Sequence, residues 1–209
     1  MEAEKIPMRS KLGYLYMLLG ALLVSGALTL FLTNRQADKT AEDFGRSLLP
    51  VLREEIEAAP LVETVPDNTP RELLNQEDLI MTETVINGHS YIGYLTIEDL
   101  NLELPVMSGW TEEQLRISPC RYSGTVRGED LVIMAHNYKS HFGYLAQLKE
   151  GAQVRFADMD GTVWNYEVAA TDVLKAEEVE AMTAGEYDLT LFTCSSDRVH
   201  RITVRCNRV

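Results

Sequence analysis

The sequence has little positive charge, and it lacks the common motifs for nucleotides and zinc. It contains 19 lysines and arginines against 32 aspartates and glutamates, which gives a formal net charge of −13 at neutral pH. Because no basic surface could neutralise phosphates in bulk, this balance argues against nucleic acid as a partner. A glycine-rich phosphate loop, a CxxC pair and an HExxH helix are missing, so no nucleotide or zinc site is predicted. Residues 158–161 resemble the start of a calcium loop, but the downstream ligands are missing and no metal is expected.

One long uncharged run lies near the amino terminus. Residues 12–32 carry no charge over 21 positions, and a helix of that length measures roughly 31 Å, enough to cross the hydrocarbon core of a bilayer. A cleaved signal peptide is the alternative, but its apolar part is usually shorter and a small-residue cleavage site should follow it. The only such triplet, residues 25–27, lies inside the run. The pattern therefore favours an uncleaved membrane anchor.

Four regions follow from this anchor. They are a tail over residues 1–11, a transmembrane anchor over 12–32, a stalk over 33–85 and a folded domain over 86–209. A short tail and a single span leave the large remainder outside the cell. The chain is therefore expected in the cell membrane as a single-pass protein, with a cytoplasmic amino terminus and an extracytoplasmic domain.

The stalk is predicted to be solvated and to have two parts. Residues 36–58 have apolar positions near helical spacing among many charges, which indicates a helix that Pro50 should bend or divide. Pro60, Pro66 and Pro70 then interrupt an acidic stretch, which is typical of a semi-extended spacer.

The pattern of the remaining residues, 86–209, predicts a mainly β domain. Asn87-Gly88 is a tight-turn signal between two strand-like runs. Strands are predicted over residues 93–97, 102–106, 130–135, 153–156, 163–169, 189–193 and 201–205, and helical turns over 111–116, 142–148 and 176–184. Many short strands with few helices favour a closed or nearly closed β-barrel of about eight strands.

The last two predicted strands bring a cysteine and an arginine close together. Cys194 ends one strand, and the next begins at Arg201. In an antiparallel hairpin that pairs these two, both side chains lie on one face, whereas a slip of one residue would place His200 opposite the thiol. A nearby positive charge favours the nucleophilic thiolate over the thiol. Arg198 and Arg205 are the alternatives for this role.

A nucleophilic thiol also needs a group that moves protons, for which histidine is suited. His89, His141 and His200 are expected on the surface. His136 differs because it follows the apolar run LVIMA and precedes Asn137, so it lies at the mouth of a buried strand, where a site is held rigidly.

The motifs TLFTC at 190–194, MAHN at 134–137 and HRITVR at 200–205 together resemble the sortase family. Sortases are membrane-anchored cysteine transpeptidases, mainly of Gram-positive bacteria. Two further stretches, GYLTIEDLNLELPV and HFGYLAQLKEGAQVRF, are also similar to that family. The resemblance extends over about residues 91–209, with the motifs in the family's order.

The resemblance implies a specific chemistry without a cofactor. Cys194 would cleave an LPXTG-like sorting signal through a thioacyl intermediate, and His136 would move protons to and from the two amines. Arg201 would bind the substrate backbone or the developing oxyanion, while Thr193 and Asn137 are the candidate substrate-binding residues. The partners would be surface proteins with a carboxyl-terminal sorting signal and a cell-wall precursor or other amine acceptor.

The resemblance also bears on subtype. Residues 60–90 lack an Asp-Pro-aromatic triplet, no second membrane span is found, and the segment between Cys194 and Arg201 is short. These features favour a class B-like or class D-like enzyme that anchors proteins to the wall over a pilus-building one. Another extracytoplasmic cysteine peptidase and a catalytically inactive anchored barrel are the alternative functions.

Three cysteines leave at least one thiol without an intramolecular partner. A disulfide between Cys120 and Cys206 would leave Cys194 free, as a thiol enzyme outside the membrane requires. Two buried free thiols are the alternative.

Overall fold

The computed structural model describes residues 8–58, 69 and 71–209, with side chains from Leu12 onward. The chain divides into two compact units at Lys39 and Thr40. The first seven residues of the predicted tail and the prolines of the predicted spacer lie outside the described residues, so these two expectations stay predictions.

Helix α1 (Met8–Ala58) contains the uncharged run. It is the one helix among the described residues that is long and apolar enough to cross a membrane. Its leucine, tyrosine and phenylalanine side chains between Leu12 and Leu32 are all exposed, which fits a membrane-spanning segment. Pro50 lies within α1 and does not divide it.

Among its described residues, the second unit contains the end of α1 from Thr40 onward, nine strands and two short helices. The strands are β1 (Thr84–Ile86), β2 (His89–Ile97), β3 (Leu102–Met107), β4 (Cys120–Ser123), β5 (Leu131–Met134), β6 (Gln153–Asp158), β7 (Val163–Lys175), β8 (Leu189–Cys194) and β9 (His200–Arg208). The helices are α2 (Glu112–Leu115) and α3 (Val179–Thr183), and single 3₁₀ turns lie at Arg71–Leu73, Glu98–Leu100 and Leu145–Gln147.

Eight of these strands form a closed barrel. They follow the order β2-β3-β4-β5-β8-β9-β7-β6, and a pairing of β2 with β6 closes the ring. Strand β1 lies outside the ring, as a hairpin partner of β2. The predicted closed barrel of about eight strands with short helices is confirmed, and closure leaves the ring without a free sheet edge.

The turn between β1 and β2 follows the sequence signal. Asn87 has φ 51° and Gly88 has φ 81°, the left-handed pair that a two-residue hairpin with the correct twist requires. Ile86 consequently pairs with His89.

The barrel interior holds the main apolar core. Its largest fully buried side chains include Trp164, Tyr166, Phe142 and Phe156. The alternation is clear in β6, where Val154 and Phe156 are buried and their neighbours Gln153 and Arg155 are exposed.

The expectation of a solvated stalk over residues 33–85 is wrong for one face of α1 between Ala41 and Leu52 and for Met81, which are buried. In the second unit, Leu48 and Leu52 of α1 are buried in a cluster with Tyr91 and Met107 of the barrel. Met81 likewise belongs to the main core. Apolar positions four residues apart on α1 form one face of the helix, and here that face is covered by the barrel wall. The compact unit therefore begins at Thr40 instead of residue 86.

The structure decides between the alternatives for Cys120 and Cys206, and it corrects the expectation for His141. Cys120 and Cys206 are free thiols, because they lie in two different apolar clusters and no bridge joins them. Burial raises the pKa of each thiol to about 12, so neither is a thiolate near neutral pH. His141 is only 1% exposed and is not a surface histidine; it lies in a tight turn in which its amide donates to the carbonyl of Tyr138 at 3.0 Å.

The packing of α1 predicts a matched pair of stability effects. Leu52→Ala should lower the free energy of unfolding by about 2–5 kcal/mol, because it leaves a cavity in a fully buried cluster. Val51→Ala, at the neighbouring exposed position, should change it by less than about 0.5 kcal/mol. Urea unfolding of the chain from Thr40 onward measures both. Equal effects for the two variants would contradict the described packing.

Candidate active site

Cys194 lies at the carboxyl end of β8 and is the most accessible of the three cysteines. Its side chain is partly buried, whereas Cys120 and Cys206 are fully buried. Side chains of a strand alternate between faces, and Leu189 and Leu191 belong to the interior core. Phe192 packs in a separate cluster with Val132 and Met182. Cys194 therefore lies on the outer face of the barrel, two residues beyond Phe192.

His136 lies level with Cys194 at the end of the adjacent strand. Strands β5 and β8 are parallel, and Met134 pairs with Phe192. The amide of Ala135 continues this register by donating to the carbonyl of Phe192 at 3.2 Å. Two residues beyond the Met134–Phe192 pair, the same register brings His136 beside Cys194. Neighbouring strands are about 4.8 Å apart, so the backbones of His136 and Cys194 follow the ends of adjacent strands.

The hydroxyl of Thr193 connects these two strand ends. It donates to the carbonyl of Ala135 at 2.8 Å, and the residue is 3% exposed. The hydroxyl is therefore used inside the protein, where it holds the residue before Cys194 against the residue before His136. Asn137 is exposed directly after His136.

The backbone after His136 is fixed by a compact turn. Phe142 donates its amide to the carbonyl of His136 at 3.1 Å, and Gly143 donates to the carbonyl of Tyr138 at 2.8 Å. A side chain at Gly143 would come within 2.7 Å of the Tyr138 carbonyl oxygen, so only glycine allows this close approach. The Tyr138 ring lies 4.9 Å from the His136 ring, between centroids.

Arg201 lies on the other side of the thiol, on β9. Cys194 and Arg201 are direct partners in the antiparallel β8–β9 ladder. Ser195 donates its amide to the carbonyl of His200 at 2.9 Å, which makes Cys194 and Arg201 a non-hydrogen-bonded pair, the type in which facing side chains are closest. The alternative register, with His200 opposite the thiol, does not occur.

The two rival arginines are placed differently. Arg198 lies in the exposed β8–β9 turn with φ 62°. Arg205 is 4% exposed, and its guanidinium is occupied by Asp172 at 3.2 Å, Thr190 at 3.1 Å and the carbonyl of Met182 at 3.0 Å. Arg201 is thus the arginine that faces the thiol.

Opposing influences set the basicity of His136. Burial lowers the pKa of its imidazole, the negative charge of Glu112 raises it, and the positive charge of Arg116 lowers it. The ring atom Nε2 is buried and has no hydrogen-bond partner among the described residues. The burial contribution is the largest, so the imidazole loses its proton more readily than an ordinary histidine.

An aromatic surface extends from the same outer face. Phe192 contacts Tyr122 edge to face at 5.3 Å between centroids, and Tyr122 stacks on Trp110 at 5.9 Å. Trp110 is 45% exposed. An apolar side chain of a bound peptide could therefore be buried against this surface beside Cys194. The strands that carry the surface are fixed in the barrel.

The three groups form a line across adjacent strands, with the thiol between an imidazole and a guanidinium. A thiolate is a strong nucleophile, an imidazole transfers protons near neutral pH, and a fixed guanidinium stabilises an oxyanion. This set suits acyl transfer at a peptide carbonyl. Among the described residues, no cluster of three histidine, cysteine or acidic side chains could hold a metal ion.

Comparison with known proteins identifies the family. Residues 95–209, more than half of the chain, match the family model of the sortase domain. The chain therefore belongs to the sortase family, whose members are cysteine transpeptidases. A comparison with curated protein sequences gives no match.

Solved structures agree in fold. Sortase C1 from Streptococcus suis is 27% identical, with 57% of this chain and 73% of that chain covered and a TM-score of 0.51. Sortase A from Corynebacterium diphtheriae is 20% identical over 84% of each chain, with a TM-score of 0.53. Sortase C from Streptococcus pneumoniae is 21% identical over 85% of this chain and 96% of that chain, also with a TM-score of 0.53. These likenesses support the barrel fold and leave the subtype a prediction.

Sequence reasoning missed several residues near the site. Glu112 and Arg116 act on His136 from α2 and the residue after it, although they are 24 and 20 positions away in the sequence. Asp197 could have been noticed, because an aspartate in a short polar turn commonly accepts backbone hydrogen bonds.

The electrostatics of His136 can be tested by titration. In Cys194→Ala protein, which removes coupling to the thiol, the pKa of His136 should lie below the ordinary value of about 6.5 because the ring is partly buried. Glu112→Gln should lower this pKa further, and Arg116→Gln should raise it. Ring carbon and proton NMR shifts followed against pH measure all three. Shifts of the same sign in the two charge variants would contradict the assigned environment.

Proposed function

We propose that this protein is a sortase transpeptidase that cleaves an LPXTG-like sorting signal and transfers the released acyl group to a cell-wall amine. The observation that carries the proposal is the alignment of His136, Cys194 and Arg201 on the ends of three adjacent strands. Membership of a family of cysteine transpeptidases supports the reaction type.

In the first half-reaction, the Cys194 thiolate attacks the carbonyl carbon of the scissile peptide bond. The carbonyl electrons move onto oxygen, and the guanidinium of Arg201 donates a hydrogen bond to that oxyanion or to the neighbouring substrate backbone. As the tetrahedral intermediate collapses, the C–N bond breaks and protonated His136 gives its proton to the leaving amine. The products are a thioester on Cys194 and the free carboxyl-terminal fragment.

In the second half-reaction, an incoming amine attacks the thioester. His136 takes the proton that this amine loses, the C–S bond breaks, and Cys194 leaves as thiolate. A new amide bond is formed and the starting protonation states are restored. Water as acceptor would give a carboxylate by slow hydrolysis instead.

The outer face beside Cys194 supports binding of an extended peptide. Tyr122 and the exposed Trp110, which extend from the buried Phe192, offer apolar contact near the nucleophile. Asn137, exposed beside His136, remains our candidate for a polar contact with the substrate. Thr193 acts indirectly, because its bond to Ala135 holds the strand ends together.

The membrane helix supports a fixed location for this chemistry. With α1 as a single-pass anchor and a cytoplasmic amino terminus, the barrel lies on the extracytoplasmic side. There it meets surface proteins that carry a carboxyl-terminal sorting signal, together with the wall precursor or other amine that accepts them. The absence of an Asp-Pro-aromatic triplet and the short turn after Cys194 still favour a class B-like or class D-like subtype.

A peptide assay tests the proposal. The chain from Thr40 onward is incubated with a panel of LPXTG-like peptides and an amine acceptor, and mass spectrometry follows the thioacyl adduct and the transfer product. Wild type should give both, and Cys194→Ala neither. Arg201→Ala should lower kcat by about 100–1,000-fold, since it removes a donor to the oxyanion.

Arg155→Ala is the matched arginine control. Arg155 lies on β6, a strand that does not pair with β5 or β8, and it forms an exposed ion pair with Glu98. Loss of the Arg155 side chain should leave kcat unchanged. Absence of adduct and product with every peptide would refute the proposal. Hydrolysis without any transfer would favour the cysteine peptidase instead.

A further inference from the structure

We propose that Asp197 is a positioning residue that, through His200, holds the guanidinium of Arg201 beside Cys194. This inference rests on the proposed function, because it explains how the arginine of that reaction is kept in place. It concerns the turn of residues 195–199, which joins the strand of the nucleophile to the strand of the arginine.

The β8–β9 turn needs an internal support. Arg198 adopts φ 62°, a left-handed conformation that is unfavourable for a residue with a Cβ atom. The side chains of Asp197 and His200 are half exposed, so burial contributes little to the shape of the turn. A turn of this kind keeps one conformation only if its hydrogen bonds are sufficient.

The carboxylate of Asp197 supplies these hydrogen bonds. Its Oδ1 accepts from the amide of Val199 at 2.9 Å and from the amide of His200 at 3.1 Å, and it also accepts from the Ser195 hydroxyl. Three groups from both sides of the turn thus meet at a single oxygen atom.

The second oxygen holds the His200 side chain. Oδ2 lies 2.6 Å from Nδ1 of His200. Hydrogen bonds from Ser195 and then His200 hold the pKa of the Asp197 carboxyl well below its usual range, so it accepts as a carboxylate. An exposed ion pair alone contributes little to stability. The pair instead fixes the position of His200, because both the backbone amide and the ring of His200 are bonded to Asp197.

His200 transmits this geometry to the site through its carbonyl oxygen. That oxygen accepts from the amide of Ser195 at 2.9 Å and from Nη1 of Arg201 at 3.2 Å. The residue after the nucleophile and the guanidinium of Arg201 therefore share one acceptor. If His200 moves, Arg201 and the end of β8 lose the hydrogen-bond acceptor that they share.

Loss of the Asp197 side chain should therefore release Arg201 without unfolding the barrel. The rest of the β8–β9 ladder, from Leu189–Cys206 to Thr193–Ile202, does not involve this turn. The expected defect is a charge that is no longer held beside the thiol.

Alkylation of Cys194 in the full-length protein in detergent micelles measures this charge without a peptide substrate. Iodoacetate is anionic and iodoacetamide is neutral, so the ratio of their rates reports a fixed cation beside the thiol. Asp197→Ala and Arg201→Ala should each lower this ratio about five-fold, since an unscreened local charge attracts the anion. Asp197→Asn keeps the Oδ1 acceptor and should stay within about two-fold of wild type.

Asp78→Ala is the matched control. Asp78 accepts an amide hydrogen bond from Asn75 in a different exposed turn, and its loss should leave the ratio unchanged. Adding Asp197→Ala to Arg201→Ala should have no further effect if Asp197 acts through Arg201. In parallel, transfer assays should show a lower kcat for Asp197→Ala with KM within about two-fold, because only the positioning of a transition-state donor is lost.

Several outcomes would overturn the inference. They are a wild-type ratio in Asp197→Ala, an Asp197→Asn ratio as low as that of Asp197→Ala, and a further fall in the double variant. Reaction of the buried Cys120 or Cys206 in Asp197→Ala would show that the barrel had opened, which would contradict a local role. If the ratios behave as expected but wild type transfers no peptide, the proposed function fails alone; unimpaired transfer by Asp197→Ala refutes this inference alone.

Discussion

The parallel pairing of β5 with β8 is the constraint on which the rest of the structure depends. It brings together strand ends that are 58 positions apart in the chain, and the Thr193–Ala135 hydrogen bond closes their contact. Parallel neighbours need a long crossover connection. Here the connection contains β6 and β7, which are themselves strands of the barrel, and the helix α3. The site therefore exists only when the ring is closed, and it is held as rigidly as the ring.

Closure of the barrel also places the imidazole and the guanidinium on opposite sides of the Cys194 thiol, in different surroundings. The imidazole, on the β5 side, is partly buried and is influenced by charges on and after α2. The guanidinium, on the β9 side, lies beside an exposed turn whose shape depends on hydrogen bonds. One neighbour of Cys194 is fixed by packing and the other by polar contacts, so the two should respond differently to substitution and to salt.

Much of this arrangement could be predicted from local patterns. Alternating apolar residues located the principal strands, Asn87-Gly88 located a turn, and the order of the motifs around His136 and Cys194 indicated the family. The wrong predictions concern residues whose burial is decided by another part of the same fold. Leu48 and Leu52 lie among charged neighbours that suggested solvent, and only the barrel wall explains their burial. His141 is buried in a tight turn that requires glycine at position 143. The periodicity of apolar residues does not predict such a turn.

The three free thiols have a consequence for redox chemistry. Secreted domains commonly rely on disulfides, but this barrel is held by strand pairing and apolar packing, with Cys120 and Cys206 buried as protonated thiols. Folding thus requires no oxidant and no disulfide-forming catalyst. Oxidants can reach the sulfur of Cys194 far more readily than the other two. Oxidation would then act at Cys194 while leaving the fold intact, and a small reductant could reverse it as long as the damage stayed at sulfenic acid or a mixed disulfide.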